Sequence, residues 1–169
     1  MPIRKLTLSA LFIAIGTITG QMIYIPVGVS KIFPVQHFIN VTAAVILGPG
    51  YSVICAFLIS LLRNLFGTGS LLAFPGSMIG AFLAGLVFKK WKSIEFAALG
   101  EVVGTGLVGA MVCYPLARLL YGSDIAAFYY VIPFSISTIT GSVIAYVLLK
   151  AFKQTRLNNQ IFQKWSEPK

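Results

Sequence analysis

Residues Leu71 to Lys90 read LLAFPGSMIGAFLAGLVFKK, and this stretch decides the architecture. Pro75 suits the first turn of a helix, where the N–H it lacks would have no partner in any case. Gly76, Gly80 and Ala84 recur every fourth residue, and Ser77, Ala81 and Gly85 repeat that spacing one step on. Such stripes of small side chains let helix backbones approach closely, which is how helices associate where no water drives them together. Lys89, Lys90 and Lys92 then read as a membrane exit. The stretch predicts a membrane helix with the remaining helices arranged around it.

The whole chain has the composition of such a bundle. Of its 169 residues 57% are hydrophobic and only 10% charged, against roughly 25% charged in a soluble domain. The mean hydropathy is +0.89. These values predict an all-α integral membrane protein with a single bundle and no second soluble domain. The formal charge of +9 invites a nucleic-acid partner, but the basic residues sit between apolar runs and near the C-terminus. That distribution fits the cytoplasmic bias of membrane proteins, so no nucleic acid is expected. Cys55 and Cys113 fall inside apolar runs and are expected as buried thiols, with no disulfide. One His and four acidic residues make a metal site improbable, and none is expected.

Six helices follow from the apolar runs. The first, about Leu6 to Ile25, has the roughly 20 residues needed to cross the hydrocarbon core. It follows Arg4 and Lys5 as a signal peptide would, but Gly20-Gln21-Met22 leads into more apolar sequence without a cleavage pattern, so it is kept as a membrane helix. It carries two small pairs, Ala10 with Ala14 and Gly16 with Gly20. Val27 to Val35 is expected as a loop, with Pro34 as a breaker. Helices from about Gln36 to Leu47 and from Tyr51 to Leu65 flank Gly48-Pro49-Gly50, which no single helix can pass; a hairpin of two short helices results. Gly67 to Ser70 is a loop before the Leu71–Lys90 helix. The fifth helix covers about Ile94 to Leu120, Tyr121 to Asp124 is a loop, and the sixth covers about Ala126 to Phe152. Residues 1–152 thus form a six-helix transmembrane domain and 153–169 a polar cytoplasmic tail.

An even number of spans puts both termini on one side. That side holds Arg4, Lys5, Lys89, Lys90, Lys92, Lys150, Lys153, Arg156, Lys164 and Lys169, whereas Lys31, Arg63 and Arg118 fall on the other. The ten-to-three bias predicts cytoplasmic termini and a multi-pass protein of the cell membrane.

Polar groups inside a bilayer are costly and call for a partner or a purpose. Glu101 lies in Gly100-Glu101-Val102-Val103-Gly104-Thr105-Gly106, where glycines open space beside it. It reads either as a hydrogen-bond acceptor for a ligand or as a structural acid near the cytoplasmic surface. Gln36 and Asn40 share a helical face with His37 alongside, at the outer mouth of the second helix. Ser135 and Thr138, three residues apart after Pro133, share a face at the depth of Thr105 and Glu101; the alternative for such hydroxyls is back-bonding to their own helix. Arg63 and Asn64 either orient the following loop or a ligand, or snorkel to the interface. Tyr114, Tyr129 and Tyr130 fit an aromatic belt or a stacking wall, and Trp91 an interfacial anchor.

What the chain lacks also bounds its chemistry. It has no G-x-x-x-x-G-K-[ST] stretch for binding ATP. No carboxylate pair or Ser/His/Asp set suggests hydrolysis, so no enzyme activity is expected. No series of intramembrane acids suggests a proton relay.

Ile32 to Asn40 (IFPVQHFIN), Ala44 to Pro49 (AVILGP), Ser60 to Ser70 (SLLRNLFGTGS) and Leu72 to Gly85 (LAFPGSMIGAFLAG), extended by Glu101 to Ala110 with Tyr114-Pro115, resemble the ThiW-type substrate-binding (S) component of energy-coupling factor (ECF) vitamin transporters. The resemblance covers roughly residues 5 to 150. It implies a six-helix S component that captures a small molecule outside and docks on a membrane T component with two ATPase subunits. ATP would be used by those partners, with no cofactor in this chain. Ala10 and Ala14 match the Ala-x-x-x-Ala motif by which the family contacts its T component.

The implied ligand is hydroxyethylthiazole, a thiamin precursor. From side-chain chemistry and depth, the positions expected to serve it are Gln36, His37, Asn40, Ser77, Glu101, Thr105, Tyr114, Ser135 and Thr138. A thiazole alcohol is small, planar and neutral, and needs an apolar slot with a few donors and acceptors. Thiamin is a cation and would favour more acids and aromatic boxes. The alternatives are an S component for thiamin or hydroxymethylpyrimidine, or a stand-alone facilitator with a continuous polar path.

Overall fold

The computed structural model describes residues 2–27, 30–122 and 128–154. The expected tail beyond Gln154, and half of the loop expected at Tyr121 to Asp124, lie outside the described residues.

Helix α1 (Pro2–Met22) is followed by two three-residue strands, β1 (Ile25–Val27) and β2 (Ser30–Ile32), paired antiparallel with Ile25 opposite Ile32. The reading of Val27 to Val35 as a plain loop is corrected by this small ribbon and by Pro34. Pro34 opens helix α2 (Pro34–Leu47) instead of breaking one, because a first-turn residue needs no N–H. Pro49 does the same for α3 (Pro49–Leu65). Gly48 between them has φ +91, which a side chain rarely tolerates, so the chain reverses there. The expected hairpin of two short helices is present.

Helix α4 (Ala73–Trp91) is formed by the Leu71–Lys90 stretch, and it lies at the centre against α2, α3 and α5. Its small residues Gly76, Ser77, Gly80, Ala81, Ala84 and Gly85 are all buried. A side chain on Gly80 would strike Thr105 and Glu101, one on Gly76 would meet Phe134 at 2.9 Å, and one on Gly85 would meet the Pro49 backbone at 2.5 Å. These contacts place the packing of the bundle on this one helix.

Helix α5 (Ile94–Val103) runs antiparallel to α4. It continues through a π-helical turn, Gly104–Gly109, into α6 (Ala110–Tyr121), making one rod where the sequence predicts one helix. Gly104 lies against the Gly80 backbone, and Gly109 against that of Gly76. The π turn is invisible to a helical-periodicity reading, but π turns gather at functional sites. Helix α7 (Val131–Gln154) starts five residues later than expected, and Pro133 is its third residue, where it needs no hydrogen-bond donor.

Two ends of the bundle differ. At one, Lys5 Nζ donates to the Leu47 carbonyl at 3.3 Å and Lys150 Nζ lies 3.9 Å from Glu95. A dry cluster of Val41, Val45, Ile94, Ala97, Ala145 and Leu149 fills this half. At the other end lie the ribbon, the Gly67–Ser70 loop and the start of α7.

The surface is apolar and a set of polar side chains is buried, unlike a soluble domain. Ile3 is 78% exposed and Ile132 66%, whereas Asn40, Glu101 and Thr138 are 0% exposed. Among the described residues three helices are long and apolar enough to cross a membrane, over Ile3–Gly20, Ile94–Leu120 and Val131–Gln154.

Candidate functional site

The ribbon end of the bundle holds a cavity of about 590 Å³. Tyr24, Phe33, Tyr130 and Phe134 give it aromatic walls, Gly67 to Ser70 form one rim, and Gln36, His37, Arg63, Ser77, Thr105 and Ser137 supply polar groups. These residues come from α2, α3, α4, the π turn, α7 and the segments between helices, so the cavity exists only in the assembled bundle.

Gln36 stands at the hub of the polar wall. Its amide Nε2 donates to Ser60 Oγ at 2.8 Å and to Ser77 Oγ at 2.9 Å. Its carbonyl Oε1 accepts from Arg63 Nη1 at 2.6 Å. Arg63 is only 2% exposed. Its Nη2 donates to the Thr68 carbonyl at 3.2 Å, and its guanidinium lies 3.8 Å from the centre of the Phe33 ring. The sequence leaves Arg63 a choice between orienting a loop or a ligand and snorkelling; the structure shows it buried and fastened to the loop. Asn64 Nδ2 adds bonds to the Ser60 and Ser70 carbonyls at 2.8 and 3.1 Å.

Behind the wall sits Glu101, fully buried. Its Oε1 accepts from Asn40 Nδ2 at 3.0 Å and Thr105 Oγ1 at 3.0 Å, and lies 2.9 Å from His37 Nδ1. Asn40 Nδ2 also reaches the Ser77 hydroxyl at 3.0 Å and the Ser77 carbonyl at 3.2 Å. Neither Glu101 nor Asn40 lines the cavity. The unpartnered Glu101 Oε2 faces the space beside Gly80. Glycine at position 80 is what admits the carboxylate.

Six of the expected residues, Gln36, His37, Asn40, Ser77, Glu101 and Thr105, therefore form one continuous network at the cavity. The other three do not join it. Tyr114 is half-buried on α6 and does not line the cavity. Ser135 and Thr138 both pack against Gly106 of the π turn; Thr138 Oγ1 is buried without a partner. The α7 hydroxyl at the cavity is Ser137, whose Oγ accepts from the Phe33 backbone N–H at 3.0 Å. Ser135 and Ser137 share the same chemistry, and the rotation of α7 that selects between them comes from packing.

Missed beside Arg63 are Ser60, Phe33 and Phe134, while Tyr130, read from the sequence as a belt or a stacking residue, does line the cavity. The spacing of Ser60 and Arg63, three apart on α3, is the signal that places them on one face with Asn64. The aromatic residues carry no local signal, since aromatic rings are common throughout this chain.

Among the described residues no group of three His, Cys, Asp or Glu side chains could hold a metal ion. Cys55 and Cys113 are free and buried.

On α1 the two small pairs part company. Gly16 and Gly20 are buried against Ile59, Ile39 and Arg63, whereas Ala10 and Ala14 face outward.

The family model for thiamine-precursor transporter protein, ThiW, matches residues 6–155. No curated protein and no solved structure matches the chain. The match runs through all the helices from Leu6 onward and takes in every residue of the polar network. The apolar exterior, the buried polar network and this match agree: the chain is a membrane protein and a transporter, not an enzyme, and it belongs to the ThiW family of thiamine-precursor transporters.

Proposed function

We propose that this chain is the substrate-capture subunit of an ATP-driven ECF importer, and that its ligand is hydroxyethylthiazole, bound in the cavity at the ribbon end. Six spans carry it through the cell membrane with both termini in the cytoplasm, so the lysine-rich end is cytoplasmic and the cavity opens outward. Residues beyond Phe152 form the polar tail. A T component docks on the outward-facing Ala10 and Ala14 of α1, and two ATPase subunits supply the energy.

The observation that carries the ligand assignment is the charge of the wall. Among the described residues its one permanent charge is the Arg63 guanidinium, which makes no salt bridge there, while the Glu101 carboxylate is shielded behind His37, Asn40 and Thr105. A buried cation at the wall opposes the thiazolium of thiamin and tolerates a neutral planar heterocycle. Aromatic rings on several sides and a few fixed polar groups are what such a ligand needs. The dry cluster below the cavity speaks against a stand-alone facilitator, because among the described residues it puts apolar side chains between the cavity and the lysine-rich end.

Calorimetric titration of the purified chain tests this. Hydroxyethylthiazole should bind without any ATPase present, and thiamin should bind at least about tenfold more weakly. Tighter binding of thiamin or of hydroxymethylpyrimidine sinks the ligand assignment. Uptake into liposomes by the chain alone would sink the dependence on an ATPase.

A further inference from the structure

The two charged side chains of the polar network stand at opposite ends of an unbroken run of hydrogen bonds: Arg63, Gln36, Ser77, Asn40, Glu101. Each charge fixes the sense of the amide next to it. Arg63 only donates, so Gln36 must turn Oε1 toward it and Nε2 toward Ser77. Glu101 Oε1 accepts, so Asn40 must turn Nδ2 toward it. Reversing either amide would set donor against donor or acceptor against acceptor. The Ser77 oxygen therefore takes N–H bonds from both sides, at 2.9 and 3.0 Å, and keeps its own O–H as a donor. Ser77 lines the cavity.

The same Oε1 lies against His37. With Nδ1 carrying its hydrogen toward Glu101 at 2.9 Å, a neutral imidazole presents Nε2 as an acceptor. His37 also lines the cavity, and its Nε2 is not a buried unpaired atom.

We propose that Arg63 and Glu101 are positioning residues that set the hydrogen-bond polarity of the wall from behind: Ser77 offers a proton, His37 Nε2 offers a lone pair, and the cavity selects a neutral ligand carrying one acceptor and one donor. This rests on the cavity being the precursor site. Hydroxyethylthiazole fits it through its ring nitrogen and its hydroxyl.

Three probes read the polarity on the purified full chain: hydroxyethylthiazole, its methyl ether, which lacks the donor, and its thiophene counterpart, which lacks the ring nitrogen. The unaltered protein should prefer the thiazole alcohol over each analogue by roughly tenfold or more. Gln36→Glu keeps an acceptor for Arg63 but removes the N–H given to Ser77, so Ser77 turns its proton onto the new carboxylate. The preference over the thiophene should then fall to about unity while the preference over the ether persists. Glu101→Met releases the His37 tautomer and should erase the preference over the ether, whereas Glu101→Gln, which retains a carbonyl oxygen, should restore it.

A folded Gln36→Glu protein that keeps its preference over the thiophene overturns the proposal, as does a Glu101→Met protein that keeps its preference over the ether. So does a folded Gln36→Glu protein that binds neither compound, since only one hydrogen bond is at stake. Ala73→Trp, which fills the cavity, separates the two levels. Unchanged thiazole binding there overturns the cavity as the site. Lost binding there, with the preferences unmoved in the other variants, overturns the polarity alone.

Discussion

His37 and Glu101, 64 residues apart in the chain, meet at 2.9 Å where α2 passes α5, and the Glu101 side chain there is wholly buried. The same carboxylate oxygen receives Asn40 and Thr105, so one acceptor joins α2, α5 and the π turn. Glu101→Ala would leave three buried donors without it. Asn40 and Thr105 keep other acceptors in Ser77 and Gly76, and an unsatisfied buried donor costs roughly 1–3 kcal/mol, so the expected result is a clear drop in melting temperature in detergent. Glu101→Gln, keeping one acceptor oxygen, should lose far less. Equal melting of the alanine variant and the parent would show that the network adds nothing to the fold.

Gly80 is where α4 yields to the network. A methyl group there meets Thr105 and Glu101, so Gly80→Ala should destabilise by about 1–3 kcal/mol through overpacking. Gly50, at the hairpin turn, has open space where a side chain would begin, with nothing within 4 Å. Gly50→Ala should stay within about 0.5 kcal/mol of the parent, as surface substitutions do. Thermal unfolding of the two variants side by side checks the contrast.

Arg63 ties the loop after α3 to the wall. Its Nη2 bonds the Thr68 carbonyl, and Thr68 Oγ1 returns a bond to the Arg63 carbonyl at 3.2 Å. Arg63→Met keeps much of the stem but loses the guanidinium's bonds to Gln36 and Thr68 and its contact over Phe33. Hydrogen exchange should rise across Gly67 to Ser70 while α3 itself stays protected. Unchanged exchange in that loop would mean that Arg63 does not hold it.

Particular residues show how far the sequence alone reaches. The small stripes of Leu71 to Lys90 identify the central helix because small spacing at every fourth residue is a local, periodic signal. Glu101, Gln36, His37 and Asn40 are legible because polar groups are rare among apolar neighbours. Pro34 and Pro49 look like breaks in the sequence and are helix starts in the structure; the same residue serves both ends, and only the following turn decides. The choice of Ser137 over Ser135, and the burial of Arg63, depend on how α7 and α3 rotate against α2. Such rotations are set by contacts between helices distant in sequence and leave no mark on either helix alone.

Ala10 and Ala14 face outward although the neighbouring pair Gly16 and Gly20 is packed inside. Ala10→Trp with Ala14→Trp should leave stability and thiazole binding near parental values, since neither residue packs in the bundle. Co-purification with a T component should be lost. Retained co-purification would rule out this face as the docking surface.

The most direct measurement is the small molecule that the protein carries out of the cell. Purified from a membrane fraction under mild detergent and analysed by mass spectrometry, it should release hydroxyethylthiazole. The Ala73→Trp variant, its cavity filled, should release none. Recovery of thiamin or a pyrimidine from the unaltered protein would contradict the account.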